Sequence, residues 1–156
     1  MAAEPIQQIV LRLATIADAD SIATCTEAAY AKYIQRLGRK PQPMTADYAS
    51  MIAEDQIWIA EMEGTCVGAL VLKAEASYLL IYSVAVQPTI QKLGLGKRLM
   101  ALAESEAKRQ GYSQIRLYTN QLMAENILYY EALGYNVTSK EDFLGSTRVN
   151  MAKTVH

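Results

Sequence analysis

Histidine is almost missing from this chain: of 156 residues, only the last, His156, is one. Ser-His-Asp and Cys-His catalysis are thereby excluded, as are histidine-ligated zinc and an internal imidazole acid or base. Phenylalanine and tryptophan occur once each, against ten tyrosines. Chemistry in such a chain falls to tyrosine, carboxylates, lysine, the backbone or a cofactor. The two cysteines, Cys25 and Cys66, form no CxxC motif and stand in apolar stretches, which reads as free thiols buried in a reducing compartment. A basic excess is lacking too. With 15 Lys plus Arg against 16 Asp plus Glu, phosphate neutralisation along a nucleic acid has no compositional support. The longest strongly apolar run, Leu79 to Val86, falls well short of the roughly 20 residues that span a bilayer. The stretch Met1-Ala2-Ala3-Glu4-Pro5 carries neither the basic nor the apolar part of a leader. Glu61, Glu63 and Glu75 show no ligand spacing, so no metal is expected. The expectation is a soluble cytoplasmic protein without nucleic-acid or membrane partners, monomeric or homodimeric.

What the chain does contain is enough apolar material, 51% of residues, for one core in a domain of this length. Ile9 to Leu13 reads as a strand, and Asp18 or Asp20 is placed to cap a helix running to about Ile34. Gly38, Pro41 and Pro43 mark a loop, after which Thr45 or Asp47 opens a short helix ending before Gln56. Strands at Ile57 to Met62 and Thr65 to Lys73 are joined by Glu63-Gly64, a hairpin signal. The run Leu79 to Val86 reads as a central strand buried on both faces. The strongest helix spans about Gly94 to Gln110, with Leu95, Leu99, Leu102, Ala103 and Ala107 as its apolar stripe and Glu104 and Lys108 as an i,i+4 pair. A strand at Gln114 to Thr119, a helix at Ala124 to Leu133, and closing strands at Tyr135 to Thr138 and Thr147 to Val155 complete one α/β domain over residues 1–156.

The stretch richest in chemical meaning lies between that central strand and the long helix. Glycines at a strand-to-helix junction let backbone N–H groups approach an anion, and the helix dipole favours it there. A Walker A loop would need Gly at Gln91 and Ser or Thr at Arg98, and a dinucleotide fingerprint would need a third Gly at Leu99. What fits is Gln-x-x-Gly-x-Gly, as Gln91, Gly94 and Gly96. With Val84-Ala85-Val86 and Pro88 before it, and Asn126, Tyr129, Tyr130, Gly134 and Tyr135 after it, the sequence resembles the GNAT superfamily of acyl-CoA-dependent N-acetyltransferases.

The resemblance implies a mixed, mostly antiparallel sheet of six or seven strands flanked by about four helices. It implies acetyl-CoA as co-substrate, with the pyrophosphate wrapped by Gln91, Lys92, Leu93, Gly94, Leu95, Gly96 and Lys97. Val84, Ala85 and Val86 would pair with the pantetheine arm as an added strand would, and Asn126 and Tyr129 lie beside it. Tyr130 falls on the position of the family's usual general acid, and a phenol donating to a departing thiolate is worth about 10²–10⁴-fold in rate. The carboxylate base of the family's protein-modifying members is not matched, since Tyr82 and Tyr118 stand at the corresponding places. That favours a small-molecule amine as acceptor over a protein or peptide, with a non-catalytic acyl-CoA sensor as a further alternative. Tyr30, Tyr33, Tyr82 and Tyr118 are the candidate acceptor contacts, in a region that also holds Arg36, Arg39, Lys40, Met44 and Tyr48. A solvated basic loop over packed tyrosines stays open beside it.

Overall fold

The computed structural model describes residues 8–156 of the chain. The absence of a leader, read at residues 1–5, lies outside them. Seven strands form one sheet in the order β1-β2-β3-β4-β5-β7-β6, with β1 at Val10–Leu13, β2 at Gln56–Met62, β3 at Thr65–Ala74, β4 at Leu79–Val86, β5 at Gln114–Asn120, β6 at Asn136–Phe143 and β7 at Ser146–Thr154. All neighbours are antiparallel except β4 and β5. That pair is parallel because a helix intervenes and carries the chain back across the sheet. Four helices of about two turns or more are α1 (Ala19–Tyr30), α3 (Tyr48–Glu54), α4 (Leu95–Arg109) and α5 (Ala124–Ala132), and α2 (Ile34–Leu37) is a single turn.

Two apolar layers hold the sheet. On one face, Leu70, Leu72, Ile115, Leu117, Val149 and Met151 pack against Leu95, Leu99, Ala103 and Ala107 of α4. On the other, Ile57, Ile59, Ala69 and Val71 meet Ile22 of α1 and Tyr48 and Met51 of α3. The hairpin at Glu63-Gly64 forms as expected, both residues lying at positive φ (53° and 78°). Asp47 caps α3 by accepting from the Ser50 amide at 3.2 Å.

Several local expectations are corrected. The first helix stops at Tyr30 and continues as a 3₁₀ turn and α2. Asp18 precedes it without capping it, because Arg12 and the Thr15 amide occupy its carboxylate. Glu104 pairs with Lys153 at 2.8 Å rather than Lys108, since β7 brings that ammonium against α4. The closing hairpin is longer than read: β6 runs through Lys140-Glu141-Asp142 to Phe143, and charge is tolerated there because the strand is an exposed edge. Strand β4 is not buried on both faces. Leu79, Ile81, Ser83 and Ala85 are buried, and Tyr82, Val84 and Val86 border open cavities. The thiols of Cys25 and Cys66 are free and lie against one another, Cys25 buried and Cys66 half-buried.

Candidate active site

Strand β4 carries a bulge at Tyr82: Val71 of β3 pairs with Ser83, Leu72 pairs with Ile81, and Tyr82 is the extra residue. A bulge bends its strand and ends regular pairing. The parallel ladder with β5 accordingly covers only Leu79, Ile81 and the residue between them. Beyond it the two strands separate. Gln87 donates its N–H to Val67 of β3, at 2.9 Å. Backbone polar groups alternate along a strand, so those of Val84 and Val86 face the opposite way, into the gap. Two side chains reach them there. Tyr30 Oη donates to the Val84 carbonyl at 3.3 Å, and Gln91 Nε2 donates to the Val86 carbonyl at 3.0 Å.

The loop after β4 and the start of α4 make one end of a groove of about 410 Å³. Lys92 and Gly94 both take positive φ (74° and 90°). A non-glycine residue held in that region costs on the order of 1 kcal/mol and marks a backbone shaped for something other than stability. Val84, Val86, Gln91, Lys92, Gly94, Gly96, Lys97, Asn126 and Tyr129 all line this groove. A Cβ on Gly96 would project into it, 3.8 Å from Tyr129 Oη and 3.9 Å from Val86 Cγ2. Lys32, Lys92 and Lys97 border the groove and no carboxylate does, while the first turn of α4 carries no acidic residue. Backbone amides at a helix start, positive side chains and an open strand edge suit a polyanion with an amide-bearing arm, which is the chemistry of coenzyme A. Ala85 and Leu95 are each 1% exposed, so their side chains belong to the core and only their backbone faces the question. Leu93 is exposed and lies outside the groove lining.

A second cavity of about 120 Å³ opens next to the groove, and Tyr30, Tyr33, Tyr82 and Tyr118 all line it. Of the other residues of that region, Arg39 lines it too. Arg36 instead pairs with Glu125 of α5, and Tyr48 is buried with its hydroxyl donating to the Pro43 carbonyl. Four residues, Tyr30, Tyr33, Asn126 and Tyr130, line both spaces. Tyr130 is partly buried, edge-on to Tyr129 and Tyr135 with ring centroids 5.5 and 6.2 Å away. Burial, reinforced by Tyr30 and Tyr129 nearby, pushes its phenol far above the ordinary value, so it stays protonated. Burial likewise pushes Tyr82 up to about 12 and raises Tyr118, whose rise is opposed by Arg148. Neither phenol is poised to act as a phenolate base near neutrality.

The cavity also holds residues that local reading missed. Phe143, Arg148, Asn120 and Met123 line it, and Lys32 and Met100 line the groove. Each belongs to an element whose neighbours in space are distant in sequence, and no local motif surrounds any of them. Among the described residues no cluster of ligands for a metal ion occurs, and no helix is long and apolar enough to cross a membrane.

Comparisons with known proteins bear on the whole of this arrangement. Residues 22–135 match the acetyltransferase (GNAT) family. Over 147 residues the chain is 26% identical to the uncharacterized N-acetyltransferase YjgM of Escherichia coli (strain K12), covering 83% of each. Among solved structures it resembles the PaiA N-acetyltransferase of Thermoplasma acidophilum in complex with coenzyme A (TM-score 0.78, 20% identity, 94% of this chain and 98% of that one). It also resembles a ribosomal-protein alanine N-acetyltransferase of Escherichia coli (TM-score 0.77, 18% identity, 94% of each chain). At these identities the structural likenesses speak for the fold.

Proposed function

This chain belongs to the GNAT acetyltransferase family and is an acyl-CoA-dependent N-acetyltransferase; from that premise we propose that its acceptor is a small primary amine and that Tyr130 is its general acid. Acetyl-CoA supplies the activated acyl group as a thioester. The amine nitrogen forms the C–N bond as the C–S bond breaks, one amine proton leaves to solvent, and coenzyme A departs as a thiol. Tyr130 provides the proton that the departing sulfur takes up and regains one from solvent. The observation that carries this is its position: Tyr130 is one of the few residues lining both the groove and the cavity, where donor and acceptor must meet. Its hydroxyl makes no hydrogen bond to other described residues, which leaves the proton available.

Other residues of the chain hold and orient. The polar backbone of Val84 and Val86 faces the gap between β4 and β5, where an extended amide-bearing arm can add to the strand. Lys92, Lys97 and the amides opening α4 favour phosphate charge at the groove's far end. A cavity of about 120 Å³ matches one ring-sized group, the scale of a small acceptor. Tyr130→Phe is expected to lower kcat by about 10²–10⁴-fold with acetyl-CoA affinity unchanged by calorimetry. An unchanged kcat where chemistry limits the rate would remove Tyr130 from the mechanism. Faster thiol release with peptides than with any small amine would replace the acceptor class.

A further inference from the structure

The acceptor cavity has a charge pattern that the family assignment does not explain. Two guanidinium groups, Arg39 and Arg148, line it, and no aspartate or glutamate does. They come from different elements: Arg39 from the loop after α2, Arg148 from β7. Strand pairing sets Arg148 beside Asn120 of β5 and Glu141 of β6, while its neighbour Val149 points into the core. Its guanidinium carbon lies 4.0 Å from the Tyr118 ring centroid and 3.7 Å from that of Phe143. A guanidinium this close to a ring can stack on it and keep its in-plane N–H donors free for an anion.

Neutralisation of this charge is incomplete. The one ion pair of Arg148 among the described residues is with Glu141 at 3.6 Å, beyond hydrogen-bond distance. Glu141 is also the wetter partner, its side chain 53% exposed against 20% for Arg148. Arg39 is partly buried and has no ion pair among the described residues. A cation fixed by two rings, partly withdrawn from water and loosely paired, is a built receptor for a planar anion.

We propose that the acceptor is an amine that also carries a carboxylate, and that Arg148, with Arg39 lining the same cavity, is the residue that selects it. The carboxylate would sit against the Arg148 fork, directing the amine toward the Tyr130 and Asn126 side shared with the groove. The same two cations raise the free energy of an ammonium group in the cavity, which favours the neutral amine that attack requires. This bears on a site with no carboxylate base in its lining. The proposal rests on the cavity being the acceptor site of the acetyltransferase.

Matched acceptors test it: phenylalanine and 4-aminobutyrate, their primary amides, and the dipeptide Glu-Phe. Thiol release from acetyl-CoA is expected to show kcat/KM at least 100-fold higher for a carboxylate than for its amide. Arg148→Gln should raise KM for the carboxylate at least tenfold more than for the amide and collapse that ratio. Arg148→Lys, which keeps the charge but not the fork, should restore it only in part. Calorimetry on the CoA-loaded protein reads the same preference without turnover, so an inactive enzyme would undo the proposed reaction and still decide this point. Equal use or binding of carboxylate and amide by the unaltered protein would overturn the proposal. So would a ratio that Arg148→Gln leaves intact; a clear preference for the peptide would instead overturn the small-molecule reading on which the proposal rests.

Discussion

From Val67 through Leu72 every residue of β3 is buried, whereas β6 is exposed from Asn136 through Asp142. Both strands belong to one sheet, and the contrast divides it at the gap between β4 and β5. Strands β2 and β3 are covered on both faces, by α1 and α3 on one side and α4 on the other, and β4 is the strand at which that double cover gives way to open space. The α4-side core continues under β5 and β7 through Ile115, Leu117, Val149 and Met151. On the opposite face of those strands, Tyr118, Asn120 and Arg148 line a cavity instead of a packed layer. The half covered twice is a platform, and the half covered once leaves a face open to the cavity. The groove opens between them, where the bulge at Tyr82 ends the regular pairing of β4.

Removing bulk from each half should break the symmetry of the sheet most visibly. Leu99 is fully buried between α4 and the platform, so Leu99→Ala is expected to cost about 2–5 kcal/mol in chemical denaturation. Val137 on β6 is 41% exposed, and Val137→Ala should stay within about 0.5 kcal/mol. Similar losses at the two sites would mean that the halves are equally packed and the division is wrong.

A subtler probe asks whether the platform also positions the groove. Gly68 of β3 lies under the start of α4: a Cβ there would meet Leu95 Cδ2 at 3.0 Å and the Ala85 carbonyl oxygen at 3.2 Å. Gly68→Ala should cost about 1–3 kcal/mol by overpacking and, by shifting the first turn of α4, weaken acetyl-CoA binding as well. Gly145, in the β6–β7 turn, has φ +79° and open space around it. Gly145→Ala should cost about 1 kcal/mol through backbone strain alone, with acetyl-CoA affinity unaltered. If calorimetry shows both variants binding acetyl-CoA as tightly as the parent, the coupling of β3 to the loop is absent.

The smallest expected effect is electrostatic. Hydrogen bonds from Arg109, with Gln56 and Gln110, hold the Glu106 carboxyl down at about 2, and Arg12 with Thr15 does the same for Asp18. Both values lie below those of the unfolded chain, so the stabilisation is complete above the ordinary carboxylate range. It is lost as pH falls from about 4.5 toward 2. Both groups brace the platform side, Glu106 reaching Gln56 of β2 and Asp18 reaching Arg12 of β1. Denaturation at a series of pH values should show Glu106→Gln flattening this acid loss, and an undiminished slope would place the loss elsewhere.

Legibility in the sequence followed the same division. The platform announced itself locally: Glu63-Gly64 made the hairpin, Gly94 and Gly111 bounded α4, and the stripe from Leu95 to Ala107 faced the core. The loop from Gln91 to Lys97 stood out because glycines at a strand-to-helix junction are a local signal, and the family resemblance gave that signal its meaning. The other half was harder to read. Lys140-Glu141-Asp142 has the composition of a loop and becomes a strand only because β7 pairs with it. Glu104 had a partner at helical spacing in Lys108 and lost it to Lys153, which another strand delivers.

By itself the sequence determined the order of elements, the glycine loop, the tyrosine inventory and the exclusion of histidine chemistry. Each of these rests on local backbone sterics or on which functional groups the chain possesses. Tertiary structure decided which of those tyrosines meet, and it added the cations beside them. Tyr30, Tyr82, Tyr118 and Tyr130 come from four different elements, α1, β4, β5 and α5, and converge on one space. Arg148 enters it from a strand whose alternation reveals a face but not what that face looks upon. A cavity is a property of several elements at once, since its walls are set by register, by a bulge and by where helices stop covering the sheet.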